Sequence, residues 1–120
     1  MPRPDEHLTK AENNEKLARA TNRVPFAGCA EWAISMLFYA ALHRIQAYLS
    51  AKGSRPLSHQ DRDREIESNG SLSAIYGDYR RLKDMSRAAR YEMPNYVQED
   101  FAKAAARLEK IKNHMSEKMN

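Results

Sequence analysis

The chain has 120 residues, 42% of them hydrophobic, and a formal net charge of +4. That length suits one domain, since most domains fall at about 100–150 residues. Cys29 is the only cysteine, which excludes an internal disulfide, and the mild basic excess is compatible with RNA or DNA without requiring either.

The chain therefore reads as a single domain over residues 1–120, with residues 1–5 flexible. Cys29, at the start of an apolar helix, reads as a structural thiol in a reducing compartment. The most apolar run, Ala27 to Leu49, is interrupted by Glu31, His43, Arg44 and Gln46. Such interruptions argue for a buried helix and against a bilayer span, so a cytoplasmic protein without membrane attachment is expected.

Five helical segments and no strand are expected. The first covers about Asp5 to Thr21, where Leu8, Ala11, Leu17 and Ala18 make a poor stripe that predicts loose docking. Val24-Pro25-Phe26-Ala27-Gly28 turns the chain. The second runs from about Cys29 to Lys52 and stops at Gly53, a suitable C′ residue. Trp32, Ile34, Met36, Leu37, Phe38, Leu42, Ile45 and Leu49 make it apolar nearly all round, which places it at the centre of a bundle. Its polar residues are ordered: Glu31, Ser35, Tyr39, His43 and Gln46 lie within an arc of roughly 120°. A polar line on a central helix must be hydrogen-bonded or solvated at a cleft.

Ser58 and Asp61 have capping-box spacing and open a short, highly charged third helix to Ser68, apolar only at Ile66. It reads as part of a long crossover, ended by Asn69-Gly70-Ser71. The fourth helix, about Ser71 to Tyr91, starts amphipathic: with Leu72 as reference, Ile75, Tyr76, Tyr79 and Leu82 share a face. Lys83, Ser86 and Arg90 then fall on that same face. An unpaired buried charge is costly, so these positions demand partners and mark a candidate site. Between Tyr76 and Tyr91 stand five basic residues against two acids, with tyrosines interleaved, the composition of a phosphate-binding patch with stacking platforms. Met93-Pro94-Asn95 ends the helix, and Asn95 with Gln98 repeats the capping-box spacing. The last helix carries Val97, Phe101, Ala104, Leu108, Ile111, Met115 and Met119 as its apolar stripe. The expected fold is all-α, a four-helix bundle with one short accessory helix between the second and third long helices.

Signatures of common catalytic chemistries are missing. The four glycines form no phosphate loop, and His7, His43, His59 and His114 lack mutual metal-ligand spacing, so neither cofactor nor metal is expected. Histidine, arginine and tyrosine remain. His59 and Arg62 project from one face of the third helix, and His43 lies on the polar line. Arg87, Arg90 and Tyr91 close the fourth helix. Histidine moves protons near neutral pH and arginine stabilises a charged phosphate, so together they suffice for metal-free RNA cleavage by the 2′-hydroxyl.

Three passages, Glu31 to His43, Ser58 to Arg62, and Tyr79 to Tyr91 with its Ala-Arg-Tyr ending and Ala-rich final helix, resemble the HEPN superfamily. The resemblance extends over about His7 to Met115. It implies a four- to five-helix bundle that dimerises around a cleft, found in prokaryotic toxin–antitoxin, defence and RNA-processing proteins. Active members are metal-independent endoribonucleases with Arg, four to six residues, then His near the start of the last helix. This chain departs from that pattern, because neither Arg87 nor Arg90 is followed by a histidine at the permitted positions. Arg107 and His114 meet the spacing formally, but deep in the final helix.

Two functions of different class follow. The first is a non-catalytic or divergent HEPN module binding RNA, a nucleotide or an antitoxin-like protein through a groove of Tyr39, His43, Ser86, Arg87 and Tyr91. The second is a ribonuclease with a relocated site built from His59, Arg62 and Arg90. A homodimer is expected in either case; in a third reading the arginines only hold that dimer together.

Overall fold

The computed structural model describes residues 3–23, 29–54, 56, 58–92 and 96–119, with the side chain of Met119 left aside. Among them are five α-helices and no strand: α1 (Pro4–Asn22), α2 (Cys29–Ala51), α3 (His59–Ser68), α4 (Tyr76–Tyr91) and α5 (Gln98–Met119). A 3-10 turn, Ser73–Ile75, leads into α4. The expected turn at residues 24–28, the break at residues 93–95 and the Asn95 half of the second capping box lie outside the described residues. No helix among the described residues is long and apolar enough to cross a membrane.

Local chemistry explains most of the boundaries. Pro4 opens α1, where its missing N–H costs nothing, and the Arg3 amide donates to the Glu6 carboxylate at 3.0 Å. Of residues 1–5, Pro4 and Asp5 thus already lie in the helix. Gly53, at φ 81°, closes α2. Its amide donates to the Ser50 carbonyl and that of Ser54 to the Leu49 carbonyl, a Schellman closure that only a residue tolerant of positive φ accepts cheaply. The Ser58 hydroxyl accepts the Asp61 amide at 3.1 Å and caps α3. At α5 the Asp100 carboxylate reaches back to the Val97 amide at 2.9 Å.

α2 packs against α1, α4 and α5, as its nearly uniform apolarity requires. Its buried Ile34, Leu37, Phe38, Ile45 and Leu49 meet Tyr79 and Leu82 of α4 and the Phe101–Leu108–Ile111–Met115 stripe of α5 in one core. Trp32, in the first turn of α2, is 63% exposed and stands outside that core.

Two expectations are corrected. α1 is not loosely docked: its packing on α2 is the most extensive between any two helices. Ala11 and Ala18 are fully buried two turns apart, and their small side chains let the backbones approach, so the contact needs no broad apolar stripe. The second correction concerns the core face of α4. Ser86 is buried there, but Lys83 is half-buried and Arg90 exposed. Leu72 precedes a 3-10 turn, which advances about 120° per residue instead of about 100°. Three such residues rotate the rest of the helix by roughly 60°, carrying Lys83 and Arg90 from the core face to its flank.

Candidate functional site

α3 presents a polar knot to α4. The Ser58 cap sets the helical register that places His59 and Arg62 one turn apart, and the Arg62 guanidinium donates to Nδ1 of His59. His59 is exposed, whereas Arg62 is only 6% exposed and its Nε has no hydrogen-bond partner among the described residues. The adjacent Asp63 accepts the Tyr79 hydroxyl at 2.7 Å and pairs with the Lys83 ammonium. Burial alone would raise the Asp63 carboxyl, but the hydrogen bonds from Lys83 and Tyr79 outweigh it and hold the group below the usual carboxylate range. Burial, then the Asp63 hydrogen bond, pushes the Tyr79 phenol up, so it acts as a donor.

His43 joins this knot from α2. Its Nδ1 lies 3.1 Å from Nδ1 of His7 on α1, with the rings stacked at 5.3 Å between centroids. One ring must carry its proton on Nδ1 and the other on Nε2 for that bond to form. Burial first, then the positive charges of His7, Lys10 and Arg62, pushes His43 down to about 4. His7 is lowered too, by burial, against the opposing charge of Glu6. At neutral pH both imidazoles are uncharged. Lys10 and Arg62 beside them repel a metal cation, and no group of three or more metal-ligating side chains occurs among the described residues.

One turn before His43 on α2, Tyr39 forms a second contact. Its hydroxyl accepts Nη1 of Arg90 at 3.0 Å, and Nε of Arg90 donates to the Ser86 carbonyl at 3.3 Å. The guanidinium also lies 5.5 Å from the Tyr91 ring centre. Lys83, Arg87, Arg90 and Tyr91 line an open concavity of about 730 Å³, shared with Asp84 and Glu92. Tyr91 is 73% exposed, and Arg87 has no acidic partner among the described residues. Ser86 is buried beneath, with its hydroxyl unpartnered among the described residues.

The structure thus brings His59 to Arg62, Arg62 to the neighbourhood of His43, and Arg90 to Tyr39. It does not join the two groups: among the described residues no hydrogen bond or ion pair links His59 or Arg62 to Arg87 or Arg90. Arg107 and His114 are also separate. Arg107 is bound to Asp78 at 3.1 Å, and His114 to the Ser71 carbonyl. Sequence reasoning missed His7 and Asp63. Asp63 carries a faint local signal, an acid beside Arg62 on a helix with one buried apolar residue, Ile66. His7 carries none, because its partner stands 36 positions away.

No protein-family model, curated protein or solved structure matches this chain.

Proposed function

We propose that the protein is a HEPN-like four-helix bundle, with α3 as its accessory helix, that binds RNA without cutting it through the groove beside α4. The observation that carries this reading is the concavity lined by Arg87, Arg90 and Tyr91, together with Lys83, whose charge is already paired with Asp63. Cations to take phosphates beside an exposed aromatic ring to take a base make up the working parts of single-strand recognition. The Tyr39 hydroxyl and the Ser86 carbonyl hold Arg90 in place, so part of the side-chain ordering cost is met before ligand arrives. Tyr39 and Ser86 act as the polar wall behind the groove, and Arg87 and Tyr91 as its contact residues, whereas His43, expected in the same groove, pairs with His7 beside Arg62 and is not among the residues that line it. We place the protein as a cytoplasmic homodimer in a toxin–antitoxin or defence setting, with the groove at the dimer cleft.

A metal-independent ribonuclease is the second reading. It is favoured by Arg62, which touches His59 and whose charge acts on His43, whose uncharged imidazole is the form a general base needs. The near-complete burial of Arg62 and its place beside Asp63 and Tyr79 speak for binding over cleavage, since a phosphate must reach the guanidinium to be stabilised.

Purified protein incubated with single-stranded and hairpin RNA in EDTA separates the two. RNA binding without cleavage, weakened by Arg87→Ala or Tyr91→Ala about tenfold each, is the expected outcome, given the usual worth of stacking and phosphate contacts. Cleavage abolished by His43→Ala or His59→Ala would replace it with the enzyme reading. A nucleotide or a protein partner in place of RNA would show as failure to retain either RNA.

A further inference from the structure

α4 carries a second basic flank. At about 100° per residue, Arg81 stands roughly 160–180° around the helix from Lys83 and Arg90. It opens onto a separate concavity of about 430 Å³ along the seam between α4 and α5. Met85 and Ala106 supply apolar lining, and Lys103, Arg107 and Lys110 join Arg81 to put four cations against a single lining carboxylate, Asp100.

The pairing of these cations is incomplete. Arg107 is anchored by Asp78 at 3.1 Å, which fixes its guanidinium through one nitrogen. Lys103 has only a loose, exposed pairing with Glu99 at 3.6 Å. Arg81 and Lys110 have no acidic partner among the described residues. Lys103, Arg107 and Lys110 recur at i, i+4 and i+7 on one face of α5, where like charges repel along the helix. Elsewhere on α5 the protein neutralises such a charge: Lys112 contacts Glu15 at 3.0 Å and Glu109 at 3.6 Å. A row of repelling, under-neutralised cations around a concavity destabilises the free protein and is relieved by a polyanion.

We propose that this seam is a second phosphate-binding site, gripping the backbone of the same RNA strand that occupies the groove on the other flank of α4. The inference rests on the RNA-binding reading above and assigns the strand its path. It crosses the exposed ridge of α4, a helix about 10–12 Å wide with its side chains, a distance that a few nucleotides of one strand cover. Arg107, held by Asp78, positions the backbone; Arg81, Lys103 and Lys110 neutralise phosphates. The groove supplies the stacking surface and the seam only charge, so the seam adds affinity without sequence preference.

The test measures binding of a fluorescent single-stranded RNA by anisotropy in EDTA over a range of salt concentrations. It compares wild type, Lys103→Ala/Lys110→Ala, Lys103→Arg/Lys110→Arg and Arg87→Ala. Both lysines are exposed, so thermal melting of the alanine variant should match wild type. Each phosphate contact on a single strand contributes about 0.7 to the slope of log K against log salt, so the alanine pair should lower the slope by about 1.4 and weaken binding by about tenfold, for every RNA sequence alike. The arginine pair should keep wild-type behaviour. Wild-type affinity and slope in the alanine pair, with Arg87→Ala still impaired, would overturn the seam and leave the groove standing. Loss in the alanine pair with Arg87→Ala unaffected would support the seam and remove the groove. Absence of RNA binding by wild type would overturn both.

Discussion

His43 and His7 touch through nitrogen atoms that cannot both be protonated without repulsion, and the charges of Lys10 and Arg62 add to the cost. Together with burial, the largest cause, this leaves two neutral imidazoles joined by one N–H···N bond, with His43 pushed well below its ordinary titration range and His7 lowered. A proton titration of the His43 ring followed by NMR should therefore show a midpoint near 4, against the ordinary 6.5. Replacing His7 by Gln removes the like charge while keeping a polar partner, and should move the midpoint upward, short of the ordinary value because burial remains. A midpoint at the ordinary value in the wild type would mean that the two rings do not pair in solution. His43 was legible as a polar residue on an apolar helix; its partner was not. Gly53 shows the opposite case. Its role is local, a positive φ at a helix end, and the residue type alone announced it.

Among elements, α1 and α3 show how a helix with little apolar surface is held. α1 docks by closeness, through Ala11 and Ala18, and α3 by charge, through Asp63 reaching Tyr79 and Lys83. Close approach is vulnerable to volume. Ala18→Leu should force α1 away from α2 and destabilise the fold by about 1–3 kcal/mol, measured by urea unfolding, as overpacking does in tight interfaces. A neutral effect would show that α1 is as loose as its weak stripe suggested. The α5 stripe was read correctly from Phe101 to Met115 because its period alone decides which side faces the core. The α4 face was rotated because a three-residue 3-10 turn, invisible in a hydrophobic pattern, precedes it.

For the molecule as a whole, acid acts at two sets of groups with a calculable sign. His43 and His7 have lowered values in the folded state, so the folded protein binds fewer protons than the unfolded chain; their contribution is complete above pH 6.5 and declines towards pH 4. Asp63 and Glu15 are also lowered. Burial opposes this at Glu15, but Lys112 and Arg19 prevail, as Lys83 and Tyr79 do at Asp63. Their stabilisation is present above the ordinary carboxylate values and is lost as pH falls through the lower folded ones. Unfolding free energy measured by urea titration should thus fall from pH 6.5 to 4 and fall again below the ordinary carboxylate values of 3.8 and 4.5. Asp63→Asn should lessen the second decline, and His43→Gln the first. A flat profile over the whole range would mean that these groups are solvated as in the unfolded chain.

The all-helical class, the central place of α2, the Gly53 stop, the Ser58 cap and the buried face of α5 were written in the order of residues, because each depends on neighbours within a turn or two. So was the existence of a polar line on α2 and a basic run in α4. What that line and run would touch was decided only by the tertiary structure. Tyr39 meets Arg90 across 51 positions, His43 meets His7 across 36, and Tyr79 meets Asp63 across 16. Contacts of that range depend on how helices are rotated and how closely they pack, and a 3-10 turn or a pair of alanines changes both without altering the pattern of apolar residues. The same physics splits the arginines of the chain, leaving Arg62 buried in a structural knot and Arg87 exposed beside an open groove.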